Sequence, residues 1–505
     1  MNPERRQEVL ALGSRPLEIR DVVRVAAGQL QLELDPAARR AMLGSTRQLA
    51  RALDSGQAVY GVTTGFGDSC TESIPPAERH ALALNLVRFH GAGLGPLFSE
   101  AESRAITVAR LACLVRGYSA VRPQIVEHLL TLLNAGVVAA IPALGSVGAS
   151  GDLTPLSYVA AVLLGEREVL WKSKSEPARP HLQRLGLQPL TLEPKESLAL
   201  MNGTSAMTGI ACLALERARR LCRWCAALSA VNCDVLLGQP GHFAAELFSL
   251  KPHPGQALAA AWIRADVGQR SSPAPMIQDR YSLRCAPHVI GVALDVLTWA
   301  SQWVEIELNS VNDNPIVSAD AIYHGGHFYG GHVCQAMDSL KVAVANLADL
   351  LDRQLLHLCD PRSNRGLPAN LARGSTAHHG FKALQITASA LTAEALKLTT
   401  PASVFSRSTE NHNQDKVSMG TIAARDCQSI LDHVERVAAI TTLAAVQATE
   451  LRATHEHGPR ARALVQSMRA LVPANTADRR MDVDVVAVLD SYSKGLLALG
   501  ELDDE

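Results

Sequence analysis

The stretch AIPALGSVGASGDLTPLSYVA, residues 140–160, governs how the rest of the chain is read. No charged residue occurs from Val137 to Ser150, which predicts a buried segment. Gly145, Gly148 and Gly151 punctuate it, and buried glycine turns are places where a backbone can be held in strained geometry. Ala149, Ser150 and Gly151 are small and consecutive. Gly151 has no Cβ, so its amide nitrogen can reach the Ala149 carbonyl carbon without a steric barrier. Ring closure with loss of water, the Ser150 hydroxyl included, leaves a five-membered ring with an exocyclic methylidene. That group is a strong electrophile, which the ordinary side chains do not supply. The competing reading is a small-residue turn between helices.

The chain of 505 residues is 47% hydrophobic and 4% aromatic, enough for a large core and roughly two to four domains. Net charge is −1, so no nucleic acid and no anionic membrane surface is expected as a partner. Ten cysteines are scattered, and the Cys222-x-x-Cys225 pair stands in a helical-looking stretch without a second pair, which argues against metal or redox use. The start, MNPERRQEVLALG, has no apolar signal core, and no uninterrupted apolar run reaches the ~20 residues of a membrane span. The expectation is a cytoplasmic protein with reduced thiols.

Residues 11–26 read as a β-prone lead, and 36–55 as a helix with Pro36 at its start and Gly56 at its stop. VYGVTTGFGDS, residues 59–69, is a loop; its glycine spacing lacks the strand-turn-helix setting of a nucleotide site, so no nucleotide cofactor is expected. Helices are predicted over 75–91, 101–117 and 123–135, and a polar surface excursion over 165–192. Beyond Glu196, Ala- and Leu-rich stretches with helical spacing run over 197–237, 286–312, 333–358, 376–398, 420–452 and 484–499. Such lengths predict a bundle of long helices, joined by polar connectors at 269–286, 309–332 and 403–419. The tail ELDDE is expected to fray. The fold class is thus mainly α: a smaller mixed N-terminal domain, 1–196, carries the Ala-Ser-Gly segment, and a long-helix domain spans 197–505.

GSVGASGDLTPLSYVA resembles the prosthetic-group segment of the aromatic amino acid ammonia-lyases and aminomutases, in which Ala-Ser-Gly cyclises to a methylidene-imidazolone. Further motifs are similar to that family in the same order, from about Tyr60 to Gly420. The resemblance implies that Tyr60 in YGVTTGFG is the catalytic base, which needs a lowered pKa from nearby cationic or hydrogen-bonding groups. Asn202 in MNGTS would hold the prosthetic group and substrate, although a helix-start Asn is also a natural cap. In QDRYSLRC, Arg284 would clamp the substrate carboxylate, with Gln278 and Tyr281 against substrate and prosthetic group. Phe328 would pack near that group; His327 and His332 suggest metal spacing without a supporting cluster, and no metal is expected.

ENHNQDKVSMG, residues 410–420, resembles the phenylalanine/tyrosine branch, with Glu410 in place and Gln414 where histidine lyases usually carry glutamate. A neutral amide suits a neutral ring pocket better than a carboxylate does. Phe89 and His90 occupy the pair beside the substrate ring, in a combination that fits none of the branches. His90 could bond a phenolic oxygen or an imidazole nitrogen, or be a satisfied half-buried histidine. The resemblance therefore implies an ammonia-lyase, with tyrosine favoured and phenylalanine next, or else a histidine lyase or aromatic aminomutase. It also implies a homotetramer with shared active sites and a small aromatic amino acid as ligand. The GSSxMPxKxN signature of the fumarase/aspartase group, a rival class of helical eliminators, is absent. A catalytically dead helical scaffold is disfavoured by the intact Ala149-Ser150-Gly151, Tyr60 and Arg284.

Overall fold

The computed structural model describes residues 8–269, 271, 274–453 and 456–500; the ELDDE tail lies outside them. Eighteen α-helices and nine short strands occur among the described residues, so the molecule is mainly α. The long helices are Ser205–Val235, Ala286–Leu308, Gly331–Cys359 and Gly420–Arg452, at 31, 23, 29 and 33 residues. Ala286–Leu308 is long and apolar enough to cross a membrane by length and composition, but Asp295, Glu305 and Glu307 interrupt it.

Two compact units emerge, each from three stretches of chain: Met1–Glu216, Ala300–Asp338 and Pro401–Arg425, and then Arg217–Trp299, Ser339–Thr400 and Asp426–Glu505. The boundary expected at residue 196 falls inside the first unit. The physical reason is continuity: four of the five passages from one unit to the other run within the four long helices, where no linker composition marks them, and only the fifth, at Thr400–Pro401, falls in a connector.

All described strands belong to the first unit. Glu8–Leu12 pairs in parallel with Leu30–Leu34, and Val138–Ala139, Glu168–Trp171 and Lys174–Pro177 form an antiparallel sheet. Between the first two strands, residues 19–26 form a helix instead of the expected β-prone lead. Asp21 and Glu18 make a capping box there, and Val22, Val25 and Ala26 are buried at helical spacing. The excursion at 165–192 is a hairpin followed by the Ala178–Arg184 helix. In the core of the second unit, Trp224 is fully buried, donates from Nε1 to Thr442 at 2.9 Å and stacks on Tyr492 at 4.2 Å.

Candidate active site

A cavity of about 1050 Å³ in the first unit is lined by Tyr60, Phe89, His90, Ala149, Ser150 and Asn202, with Phe328, Glu410 and Gln414 on the same wall set. Nine of the residues singled out in the sequence thus meet in one place, from six separate stretches of chain.

The Ala-Ser-Gly turn sits between the Pro142–Leu144 strand and the Leu153–Leu163 helix. Burial is only partly as expected: Val137 to Ile141 are buried, whereas Leu144 is exposed and Ala149 and Ser150 are half-buried because they face the cavity. Ser150 has φ +50° and Gly151 φ +75°, both left-handed. For Ser150 this conformation costs on the order of 1 kcal/mol. A Cβ on Gly151 would stand 2.2 Å from Gly203 O, so only glycine fits.

That close approach has a cause in the sequence. The Glu196–Met201 and Ser205–Val235 helices are interrupted at Asn202-Gly203-Thr204, and Gly203 bridges Gly151 in parallel. The Gly203 N–H (3.2 Å) and Asn202 Nδ2 (2.9 Å) both donate to Ser150 O. Asn202 Oδ1 is buried and has no partner among the described residues. Gln414 Nε2 lies 3.3 Å from the Ser150 hydroxyl.

Residues that the sequence reading did not single out hold this arrangement. Arg110, fully buried, donates to Asn202 O at 2.7 Å and to Asn312 Oδ1 at 3.0 Å. Asp152, also fully buried, accepts from Met207 N–H at 2.8 Å, from Ser146 at 3.2 Å and from the Thr421 hydroxyl. It thereby caps the Ser205–Val235 helix. Burial pushes its carboxyl above the usual range, against the pull of those hydrogen bonds. Lys195 and Asp313 form a buried pair in the same unit. A charge in the middle of an apolar run is the signal that could have found Arg110 and Asp152.

Tyr60 is carried on a loop pinned by Val59 and Val62, both buried in a cluster with Leu49, Ala52 and Val317. Its hydroxyl accepts from Gly67 N–H at 2.7 Å. Its pKa is raised, not lowered as the sequence reading required: burial dominates, and the Glu410 carboxylate adds to it, against the Gly67 bond. Glu410 accepts from Asp68 N–H at 2.9 Å, so it holds the loop that carries Tyr60. It is presented by a turn in which Glu410, Asn411 and His412 are all left-handed. His90 is driven down to about 4, first by burial and then by Arg167, so it is neutral at physiological pH. Phe89 lies 4.5 Å from it, ring to ring.

Gln278, Tyr281 and Arg284 are not part of this cavity lining. They belong to the second unit, where Gln278 and Tyr281 are exposed and Arg284 stacks over the Tyr281 ring at 4.5 Å. Among the described residues no group of three His, Cys, Asp or Glu could hold a metal; His332 packs edge-on against Trp303 instead. Burial pushes the Cys222 thiol up to about 12.

The sequence profile described as aromatic amino acid lyase matches residues 17–470. The chain is 39% identical over 500 residues to a tyrosine ammonia-lyase of Cereibacter sphaeroides, covering 94% of this chain and 95% of that protein. It is 38% identical over 507 residues to a histidine ammonia-lyase of Gloeobacter violaceus, covering 98% and 99%. The fold is similar to a crystal structure of tyrosine aminomutase from Streptomyces globisporus, with TM-score 0.91, 35% identity, and 96% and 97% of the two chains covered. With this likeness over nearly its whole length, the chain belongs to the aromatic amino acid lyase family and is a carbon–nitrogen lyase.

Proposed function

We propose that this enzyme removes ammonia from an L-aromatic amino acid, tyrosine in preference to phenylalanine, leaving the trans-α,β-unsaturated acid. One arrangement carries the reading: a left-handed Ser150 whose carbonyl oxygen takes two hydrogen bonds, facing a cavity that also contains Tyr60. The residues present fit a methylidene-imidazolone made from Ala149, Ser150 and Gly151. Gly151 is confined against Gly203, and Asn202 and Gly203 aim two donors at the oxygen where negative charge would collect. When present, that group supplies an electrophile for the substrate amine and makes it a better leaving group. Asn202 Oδ1, buried without a partner among the described residues, is an acceptor available to a substrate ammonium hydrogen.

Tyr60 is assigned the β-proton. A phenol held above its usual pKa needs a positive charge nearby to do so. Lys416 is the lysine or arginine in the lining among the described residues. Phe89, His90 and Phe328 form the ring wall, and a neutral His90 can bond a phenolic hydroxyl. Arg284, Gln278 and Tyr281 are assigned to the cavity of a neighbouring copy in a homotetramer, where Arg284 would hold the substrate carboxylate and use binding energy for positioning.

The test is turnover of tyrosine, phenylalanine and histidine side by side with product identification. A cinnamate-type acid is expected. A histidine lyase, favoured by the Gloeobacter violaceus relative, would give urocanate. An aminomutase, favoured by the Streptomyces globisporus structure, would give a β-amino acid.

A further inference from the structure

The Arg79–Phe89 helix ends at the cavity, and its last turn carries Phe89 and His90 into the lining. The final carbonyls of a helix have no partner within it, so such a turn frays unless something holds it. Here it is held from outside. Arg167 Nη2 donates to Val87 O at 2.6 Å and reaches Arg88 O at 3.4 Å. Arg167 Nη1 donates to the Ser157 hydroxyl at 2.9 Å, and that hydroxyl lies 3.0 Å from His90 O.

Three further features show that the guanidinium is built into this position. It packs on the Tyr158 ring, 4.4 Å from the centroid. Its backbone is left-handed, φ +59°, a conformation that strains a residue with a Cβ. A Cβ on Gly91 would meet Arg167 Nη2 at 2.4 Å, so the guanidinium occupies the space a side chain there would need. The neighbouring Glu166 is bonded to Arg88 at 2.6 Å. Among the described residues the Arg167 guanidinium is bonded only to carbonyl and hydroxyl oxygens. A cation at a helix C-terminus is also favoured by the helix dipole.

We infer that Arg167 is a positioning residue for substrate selection: it clamps the last turn of the Arg79–Phe89 helix and so fixes the Phe89–His90 wall against the substrate ring. This rests on the reading of the cavity as an aromatic amino acid site. Burial, together with the Arg167 charge that faces His90, also keeps the imidazole uncharged.

Three variants of the full-length enzyme test it. Arg167→Gly removes the guanidinium while relieving the left-handed strain, Arg167→Lys keeps the charge but not the fork, and Gly91→Ala displaces the guanidinium without removing it. Hydrogen exchange of residues 86–92 is expected to accelerate at least about fivefold in Arg167→Gly and Gly91→Ala, with partial protection in Arg167→Lys. The ratio of kcat/KM for tyrosine over phenylalanine is expected to change at least about fivefold, through KM, with kcat within about twofold. Unchanged exchange overturns the clamp. Faster exchange with an unchanged ratio overturns the selection role. A wild-type enzyme inactive on every aromatic amino acid would sink the functional reading and the selection role with it, a result distinct from an active enzyme with an unmoved ratio.

Discussion

Ser150 is asked to do two things: sit in left-handed backbone and lose its hydroxyl. Ser150→Ala keeps the former and removes the latter. Turnover is expected to vanish while the circular dichroism spectrum and unfolding midpoint stay near wild type, and the intact mass should no longer be two waters below the encoded chain. His90 makes a prediction with a sign. Its folded pKa of about 4 lies below its ordinary 6.5, so the unfolded chain binds a proton that the folded one refuses. Below about pH 6.5 His90 therefore subtracts up to ~1.4 kcal/mol of stability per pH unit, down to about pH 4. Urea unfolding of His90→Leu should show a shallower loss of stability than wild type across that window. Equal slopes would show that the imidazole is not held neutral.

At the scale of elements, the site depends on a helix that breaks at the right place. Gly203 has φ +138°, and a Cβ there would stand 2.4 Å from Arg110 Nη1 and Asn312 Oδ1. Gly203→Ala is expected to destabilise the protein by about 2–4 kcal/mol, since both the strain and the loss of a buried cation's partners fall on one residue. Thermal melts and the mass deficit would check it together, because a displaced Gly203 also withdraws a donor from Ser150 O. The Tyr60 loop has its own latch. Glu410→Ala removes the acceptor of Asp68 N–H and should lower kcat by on the order of tenfold and speed proteolysis within residues 65–72. A kcat unchanged in that variant would mean that Tyr60 needs no support from Glu410.

For the whole molecule, the assignment of Gln278, Tyr281 and Arg284 to a neighbouring copy can be tested by complementation. Ser150→Ala and Arg284→Ala enzymes, each inactive, should regain up to about a quarter of wild-type activity when unfolded together and reassembled, because some mixed sites then carry both intact residues. No recovery, with mixed assemblies demonstrated by mass, would overturn the assignment of Arg284 to the cavity of a neighbouring copy. Sedimentation should give four copies per particle.

The amino-acid sequence alone established the mainly α class, the long helices and the Ala149-Ser150-Gly151 turn, because apolar periodicity and small-residue runs act locally. It also supplied Tyr60, Asn202 and Glu410 as candidates, which the fold then brought together. What it could not give was what the supports hold: a charge in an apolar run can flag Arg110 or Asp152, but their partners, like those of Arg167, are carbonyls and amides dozens of residues away, and no local pattern records such a partner. The raised pKa of Tyr60 was also beyond it, since burial and the neighbouring Glu410 are consequences of packing. So was the discontinuous division into two units, which at four of its five crossings runs through continuous helices and leaves no mark there in composition.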